Sequence, residues 1–165
     1  MKSVAIITAR GGSKRIPRKN VKPFLGKPIL EYSIQAALQA DLFHEVMVST
    51  DDEEIAEIAR RAGAKVPFMR SEKTSNDFAA TADVIEEVLD CYERIGMQFG
   101  RVCCIYPTAP FVTSYAIKTA MMLLDQEKAD AAMEKAIYGD FEGDDEDWYS
   151  DEEDEDDDTE DKLPL

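Results

Sequence analysis

The chemistry of this chain is concentrated in thirteen consecutive residues, Thr8-Ala9-Arg10-Gly11-Gly12-Ser13-Lys14-Arg15-Ile16-Pro17-Arg18-Lys19-Asn20. Two glycines, a serine and five cations follow directly on a short apolar run, Ser3 to Ile7. Glycines let backbone N–H groups come close to phosphate oxygens, and clustered cations offset the charge of a triphosphate. Arg10 can chelate two phosphate oxygens at once, while Lys14 and Lys19 act as compact point charges. The Ser13 hydroxyl either donates to phosphate or closes a turn. The same composition also suits a basic surface loop, including one that touches nucleic acid. The spacing is not that of a P-loop, because no G-x-x-x-x-G-K-[ST] is present.

The elements that would position this loop alternate along the chain. Val4 to Ile7 reads as a buried strand. Pro28 opens a helix carrying Ile29, Leu30, Ile34, Ala37 and Leu38 on one face. Glu45 to Ser49 reads as a second strand, and Asp51 or Asp52 caps a helix through Ala62 with Ile55, Ile58, Ala59 and Ala62 as its stripe. Gly63 ends that helix. Lys65 to Met69 reads as a short third strand before a polar stretch, Arg70 to Ala80. A helix from Thr81 or Ala82 carries Val84, Ile85, Val88, Leu89 and Tyr92 and stops at Gly96. Arg101 to Tyr106 is a further strand. A loop punctuated by Pro107 and Pro110 leads to a helix from Ser114 with Ile117, Ala120, Met121 and Leu124. This order predicts an α/β fold, a mostly parallel sheet with helices on both faces. Ligands of such sheets bind beyond the carboxyl ends of the strands, where residues 8–22, 70–80 and 106–113 would meet.

Charge divides the chain. Residues 140–165 contain 16 acidic side chains and one lysine, whereas residues 1–139 carry a net charge of −1. The expected organisation is an α/β domain over residues 1–138 and an acidic low-complexity tail over 139–165, too charged to order alone. Direct nucleic-acid binding is not expected at this charge. Three cysteines, Cys91, Cys103 and Cys104, form neither a disulfide framework nor a zinc pattern, and are expected to pack as small hydrophobes. The N-terminal apolar run is too short for a signal peptide and no run reaches a membrane span, so a soluble, cytoplasmic protein is expected. His44, the single histidine, falls at a helix-to-strand turn and is expected to be exposed and structural.

Residues 6–20, I-I-T-A-R-G-G-S-K-R-I-P-R-K-N, resemble the signature of the CMP-sialic acid synthetase group of cytidylyltransferases, with the pseudaminic acid branch nearest. Supporting segments occur in the family's order: Phe24-Leu25-Gly26-Lys27-Pro28, Val48-Ser49-Thr50-Asp51-Asp52, Pro67-Phe68-Met69-Arg70-Ser71, Thr81-Ala82-Asp83 and Tyr106-Pro107-Thr108-Ala109-Pro110-Phe111. The resemblance covers about residues 2–130. It implies a Rossmann-like nucleotidyltransferase fold and transfer of CMP from CTP to a nine-carbon nonulosonic acid, pseudaminic or sialic, with release of pyrophosphate and assistance from Mg²⁺. It implies that Ala9, Arg10, Gly12, Ser13, Lys14, Asn20, Arg70, Ala79 and Thr81 contact the nucleotide. Arg10 and Lys19 fall nearest the chemistry, and Tyr106 and Thr108 face the sugar.

The resemblance ends near residue 130, where family members continue into a dimerisation arm and a late D-x-D metal segment. Ala136-Ile137-Tyr138 resembles the strand after that arm. Asp156-Asp157-Asp158-Thr159-Glu160-Asp161 resembles the metal segment and implies Asp156 and Asp158 as Mg²⁺ ligands, although a solvated polyanion also produces such a match. The expected partners are CTP, the sugar acid and a second copy of the chain. Two further readings stay open: a CTP-binding protein without turnover, and an interaction protein that works through its acidic tail. Asp77 and Asp83 could each orient a cation or a metal, or cap a helix. Arg15 and Arg18 read as solubilising charges or as a distant lining of the site.

Overall fold

The computed structural model of the protein describes residues 2–13 and 16–126. Its central element is β1, Ser3–Thr8, which pairs in parallel with β4, Glu45–Ser49, on one side and β5, Arg101–Ile105, on the other. The registers run from Val4 opposite Glu45 to Thr8 opposite Ser49, and from Ser3 opposite Arg101 to Ile7 opposite Ile105. Val4, Ala5, Ile6 and Ile7 are all fully buried, as a central parallel strand covered on both faces requires. Their alternation sorts the core into two layers. Ala5 and Ile7 join Val46 and Val48 against Leu30, Ile34, Ile55 and Ile117. Val4 and Ile6 join Met47 against Val88 and Tyr92.

The helices follow from local chemistry. Helix α1, Ile29–Ala40, starts after Pro28, whose ring presets the entry. Helix α2, Glu53–Arg61, is capped by Asp52, whose Oδ1 accepts the Ile55 N–H at 3.1 Å. Glu53 and Glu54 lie in its first turn and Arg60 and Arg61 in its last, each favourable to the helix dipole. Gly63 leaves α2 at a φ of +98°, a conformation that suits glycine. A one-turn helix, α3, spans Glu72–Ser75, and α4 spans Thr81–Arg94. Helix α5, Ser114–Leu124, begins at Thr113, whose Oγ1 accepts the Ala116 N–H.

Four details depart from the sequence reading. Lys65 to Met69 is not a strand. Lys65 makes a single parallel bridge to Met47, and Pro67, with no N–H to donate, stands where pairing would continue. Pro23–Phe24 (β2) and Lys27–Pro28 (β3) form a small antiparallel hairpin. Leu25 and Gly26 turn it with positive φ, as two-residue hairpin turns demand. Leu38, Ala120 and Leu124 are exposed, and the inner face of α1 instead uses Ser33, Ala36 and Ala40. Cys104 is exposed while Cys103 is half-buried against the core; β5 is one of the two outer strands of the sheet among the described residues. The expected domain boundary after residue 138, the acidic tail and Ala136 to Tyr138 lie outside the described residues. No helix among those described is long and apolar enough to cross a membrane.

Tyr92 anchors the second layer. Its ring meets Phe68 and Phe99 edge-on, with centroids 5.3 and 5.0 Å away, and burial pushes its hydroxyl well above the ordinary value. That hydroxyl has no hydrogen-bond partner among the described residues. Ring packing and hydroxyl therefore act in opposite directions. Tyr92→Phe is expected to leave stability unchanged or raise it by about 1 kcal/mol. Tyr92→Ala is expected to cost about 3–5 kcal/mol. Urea denaturation of the two variants measures both.

Candidate active site

The three parallel strands end together, and a cleft of about 210 Å³ opens beyond their carboxyl ends. Thr8, the last residue of β1, forms part of its floor. The glycine-rich loop contributes Arg10, Lys19 and Asn20. Arg70 enters just before α3, the segment from α3 into α4 contributes Asp77, Ala79 and Thr81, and the loop after β5 contributes Tyr106, Pro107 and Thr108.

The glycine-rich loop is held by carboxylates at the start of α2. The Gly11 N–H donates to Asp51 Oδ1 at 2.8 Å. A Cβ added to Gly11 would lie 2.6 Å from Asp52 Oδ2 and 2.8 Å from Asp52 Cβ, so only glycine fits there. Arg18, in the left-handed region at φ 56°, donates to Asp52 Oδ2 at 2.6 Å and also pairs with Glu54. Arg18 is therefore a strut between loop and helix. Burial pushes the Asp52 carboxyl up, but the Ile55 N–H and Arg18 outweigh it and keep the group below its ordinary value. The Ser13 N–H is spent on Gly11 O at 2.9 Å. The Gly12 N–H has no partner among the described residues, and a Cβ on Gly12 would meet nothing within 4 Å. The two glycines thus differ: Gly11 permits close packing on α2, and Gly12 faces open space.

The cations are positioned by different means. Arg70 leaves the chain where its N–H donates to Thr50 O, and its guanidinium turns back on β4. Its Nε donates to Ser49 Oγ at 3.0 Å and its Nη2 to Ser49 O at 2.7 Å. Burial pulls the Arg70 pKa below its ordinary value. Asp51 and Glu87 oppose that shift, and the nearby charge of Arg10 reinforces it. The group nevertheless stays charged at any physiological pH. Glu87 ties the segment to α4 by accepting the Ser71 N–H at 2.9 Å and the Thr74 hydroxyl. These bonds outweigh the effect of burial and hold its carboxyl below the ordinary value. Arg10 forms an ion pair with Asp77 at 2.7 Å. Asn20 is buried, and its Nδ2 donates to Arg10 O at 2.8 Å. That bond orients the amide and leaves Oδ1 as a buried acceptor with no donor among the described residues.

Of the residues singled out in the sequence, Arg10, Lys19, Asn20, Arg70, Ala79, Thr81, Tyr106 and Thr108 come together around the cleft. Tyr106 does not pack inside. Its carbonyl accepts the Ser33 hydroxyl at 2.9 Å, the residue is 60% exposed, and its hydroxyl lies 3.4 Å from Thr81 Oγ1. Ala9 is a core residue whose N–H donates to Ser49 O. Gly12 and Ser13 lie on the loop without lining the cleft. Lys14, Arg15, Asp156 and Asp158 lie outside the described residues. Asp83 caps α4 by accepting the Ala80 N–H at 2.8 Å, whereas Asp77 faces the cleft. Thr74 and Asn76 also line the cleft, and nothing in their local sequence marks them as more than loop residues. His44 lies at the opposite end of β1, beside Ser3, whose N–H its Nδ1 accepts at 3.2 Å. Among the described residues, no group of three or more His, Cys, Asp or Glu side chains converges to hold a metal.

The parallel strands and the crevice beyond their carboxyl ends define an α/β fold of the kind found in nucleotidyltransferases. Residues 4–154 match the cytidylyltransferase family, and the chain belongs to that family. It is 47% identical over 120 residues to the pseudaminic acid cytidylyltransferase of Campylobacter jejuni serotype O:2, an overlap of 73% of this chain and 52% of the relative. It is 40% identical over 124 residues to the CMP-N,N'-diacetyllegionaminic acid synthase of Legionella pneumophila, again 73% of this chain and 52% of the relative. A CMP:2-keto-3-deoxy-manno-octonic acid synthetase solved with CTP superposes with a TM-score of 0.65 at 26% identity, over 78% of this chain and 49% of that one. The chain spans about half the length of these relatives.

The difference between the two glycines is measurable. Gly11→Ala is expected to cost about 1–3 kcal/mol, because the loop or the first turn of α2 must shift. Gly12→Ala is expected to stay within about 0.5 kcal/mol. Asp52→Ala removes both the helix cap and the Arg18 pair, at an expected cost of about 1–2 kcal/mol at pH 7. The folded Asp52 has a lowered pKa, so its contribution is complete above the ordinary carboxylate range and disappears as pH falls through the folded value. The stability gap between wild type and Asp52→Ala should accordingly close on acidification, as read by denaturation at a series of pH values.

Proposed function

We propose that the protein activates a nonulosonic acid, of the pseudaminic or sialic type, by transferring CMP to it from CTP. The observation that carries this reading is the convergence of Arg10, Lys19, Arg70 and the buried Asn20 acceptor on one cleft beyond the strand ends. The cations suit a triphosphate. The Asn20 oxygen needs a donor, and cytidine offers an amino group and ribose hydroxyls where phosphate offers none. Curated relatives of the chain carry names of the same reaction class.

In this reading the anomeric hydroxyl of the sugar attacks the α-phosphorus. The new O–P bond forms as the bond to the β-phosphate oxygen breaks, and pyrophosphate leaves. Such a displacement is served by positioning and charge neutralisation more than by covalent help. Arg10 and Lys19 neutralise the phosphates. Arg70, braced on Ser49, keeps a fixed charge at the wall of the cleft. Thr81 and Tyr106 face the substrates from the opposite rim. The single histidine is a strand-length away from the cleft, roughly 17 Å along β1. The proton of the attacking hydroxyl therefore goes to a phosphate oxygen or a carboxylate. Mg²⁺ is proposed as the companion of CTP, bound chiefly through phosphate oxygens, and no step is assigned to it.

The same cationic cleft also suits a second reading, in which CTP binds without turnover. Incubation with CTP, Mg²⁺ and either pseudaminic or N-acetylneuraminic acid distinguishes the two. Pyrophosphate and a CMP-sugar are expected in the first case; calorimetric CTP binding without either product indicates the second. Arg10→Ala should reduce kcat/KM by about a hundredfold, the scale of a lost charge-stabilising donor. Failure of the wild-type protein to bind CTP would remove both readings.

A further inference from the structure

Asp77 lies outside any helix or strand, yet its backbone is fixed from both sides. Asn76 Oδ1 accepts the N–H groups of Phe78 and Ala79 at 2.8 and 3.0 Å, and Asn76 Nδ2 donates to Lys73 O at 2.7 Å. This turn presents the Asp77 carboxylate to the cleft, where Oδ1 lies 2.7 Å from Arg10 Nη1. Both side chains are only about a third exposed, 32% for Arg10 and 31% for Asp77. The other contact of Nη1, with Ser75 O at 3.5 Å, is at the outer limit of a hydrogen bond. Nε and Nη2 of Arg10 have no partner among the described residues.

A guanidinium is a rigid planar fork, and gripping it at one nitrogen sets the direction of the rest. We infer that Asp77 is a positioning residue, whose hold on Nη1 presents the Nε–Nη2 edge of Arg10 to a polyphosphate. This inference rests on one part of the proposed function, that the cleft takes the polyphosphate group of CTP. Asn20 secures the same residue from behind, since its Nδ2 donates to the Arg10 carbonyl. Backbone and side chain of Arg10 are thus fixed by separate partners before any anion arrives. Such preorganisation lowers the ordering cost of binding.

The sign of the effect separates this role from its alternatives. By charge alone, a carboxylate in an anion site opposes binding, so removing it would tighten the complex. An obstructive contact that must break on binding predicts the same direction. A positioning role predicts the reverse. The test is calorimetric titration of the full chain with CTP, and separately with inorganic pyrophosphate, for wild type, Asp77→Asn, Arg10→Ala and the double variant, with thermal midpoints recorded for each. Asp77→Asn is expected to weaken CTP binding about tenfold in the wild-type background and less than about twofold when Arg10 is already alanine. A purely structural role would produce similar losses in both backgrounds. Unchanged or tighter CTP binding by Asp77→Asn, or equal losses with and without Arg10, overturns the inference and leaves the CTP reading intact. If wild type binds pyrophosphate through Asp77 and Arg10 but does not bind CTP, the nucleotide reading falls and this inference stands. If wild type binds neither, both fall.

Discussion

The carbonyl of Ser49 is the point on which the site depends. It accepts the Ala9 N–H at 2.9 Å, which continues the β1–β4 ladder one residue past the end of β1, and it accepts Arg70 Nη2 at 2.7 Å. One acceptor, with two lone pairs, therefore links the start of the glycine-rich loop, the end of a buried strand and a cation 21 residues further on. The Ser49 hydroxyl adds a second bond to the same guanidinium. Because Ala9 and Ser49 are buried, these bonds are shielded from water and leave little freedom in where Arg10 emerges. The geometry of the cleft is set in the strands, and the loops inherit it.

From that junction outward, carboxylates organise cations. Asp51 and Asp52 hold the loop at Gly11 and Arg18, Glu87 holds the Ser71–Thr74 turn near Arg70, and Asp77 holds Arg10. Each of the acidic groups spends its lone pairs on a backbone N–H, a hydroxyl or a guanidinium. The arrangement answers a physical difficulty. Several cations crowded around one crevice repel one another when no anion is present, and Arg70 already senses Arg10 in this way. Paired carboxylates offset that repulsion without closing the cleft. Because the pairs are partly exposed, their individual worth to stability is small, and their value is in direction rather than in binding energy.

Much of the architecture was legible in the chain. The β1 run, the Glu45–Ser49 strand, the Asp52 cap and the glycine after α2 each follow from strong local signals, and the structure has them where the pattern puts them. The failures share one cause. At 65–69 an apolar run reads as a strand, but pairing depends on a partner and on available N–H groups, and Pro67 supplies none. On α1 the apolar stripe included Leu38, but the inner face runs through Ser33, Ala36 and Ala40, because small residues let the helix lie close to the sheet and Ser33 finds the Tyr106 carbonyl. Hydrophobicity identifies a candidate face; it does not say how near the neighbouring layer approaches.

For the site the division is sharper. Residue types alone singled out a basic, glycine-rich loop and the strand-end loops that meet it at the cleft, because glycine, arginine and lysine have chemistry that survives any fold. Their assignments within the site came only with packing. Gly11 and Gly12 are identical in sequence, yet one faces Asp52 and the other open space. Asp77 and Asp83 carry the same candidate roles on paper, yet one faces Arg10 and the other caps α4. Arg18 reads as a solubilising charge until Asp52 and Glu54 are brought beside it. Such distinctions are set by distances between residues far apart in the chain. A local pattern carries backbone preference and polarity, but only the folded sheet decides which side chains share a few ångströms of space.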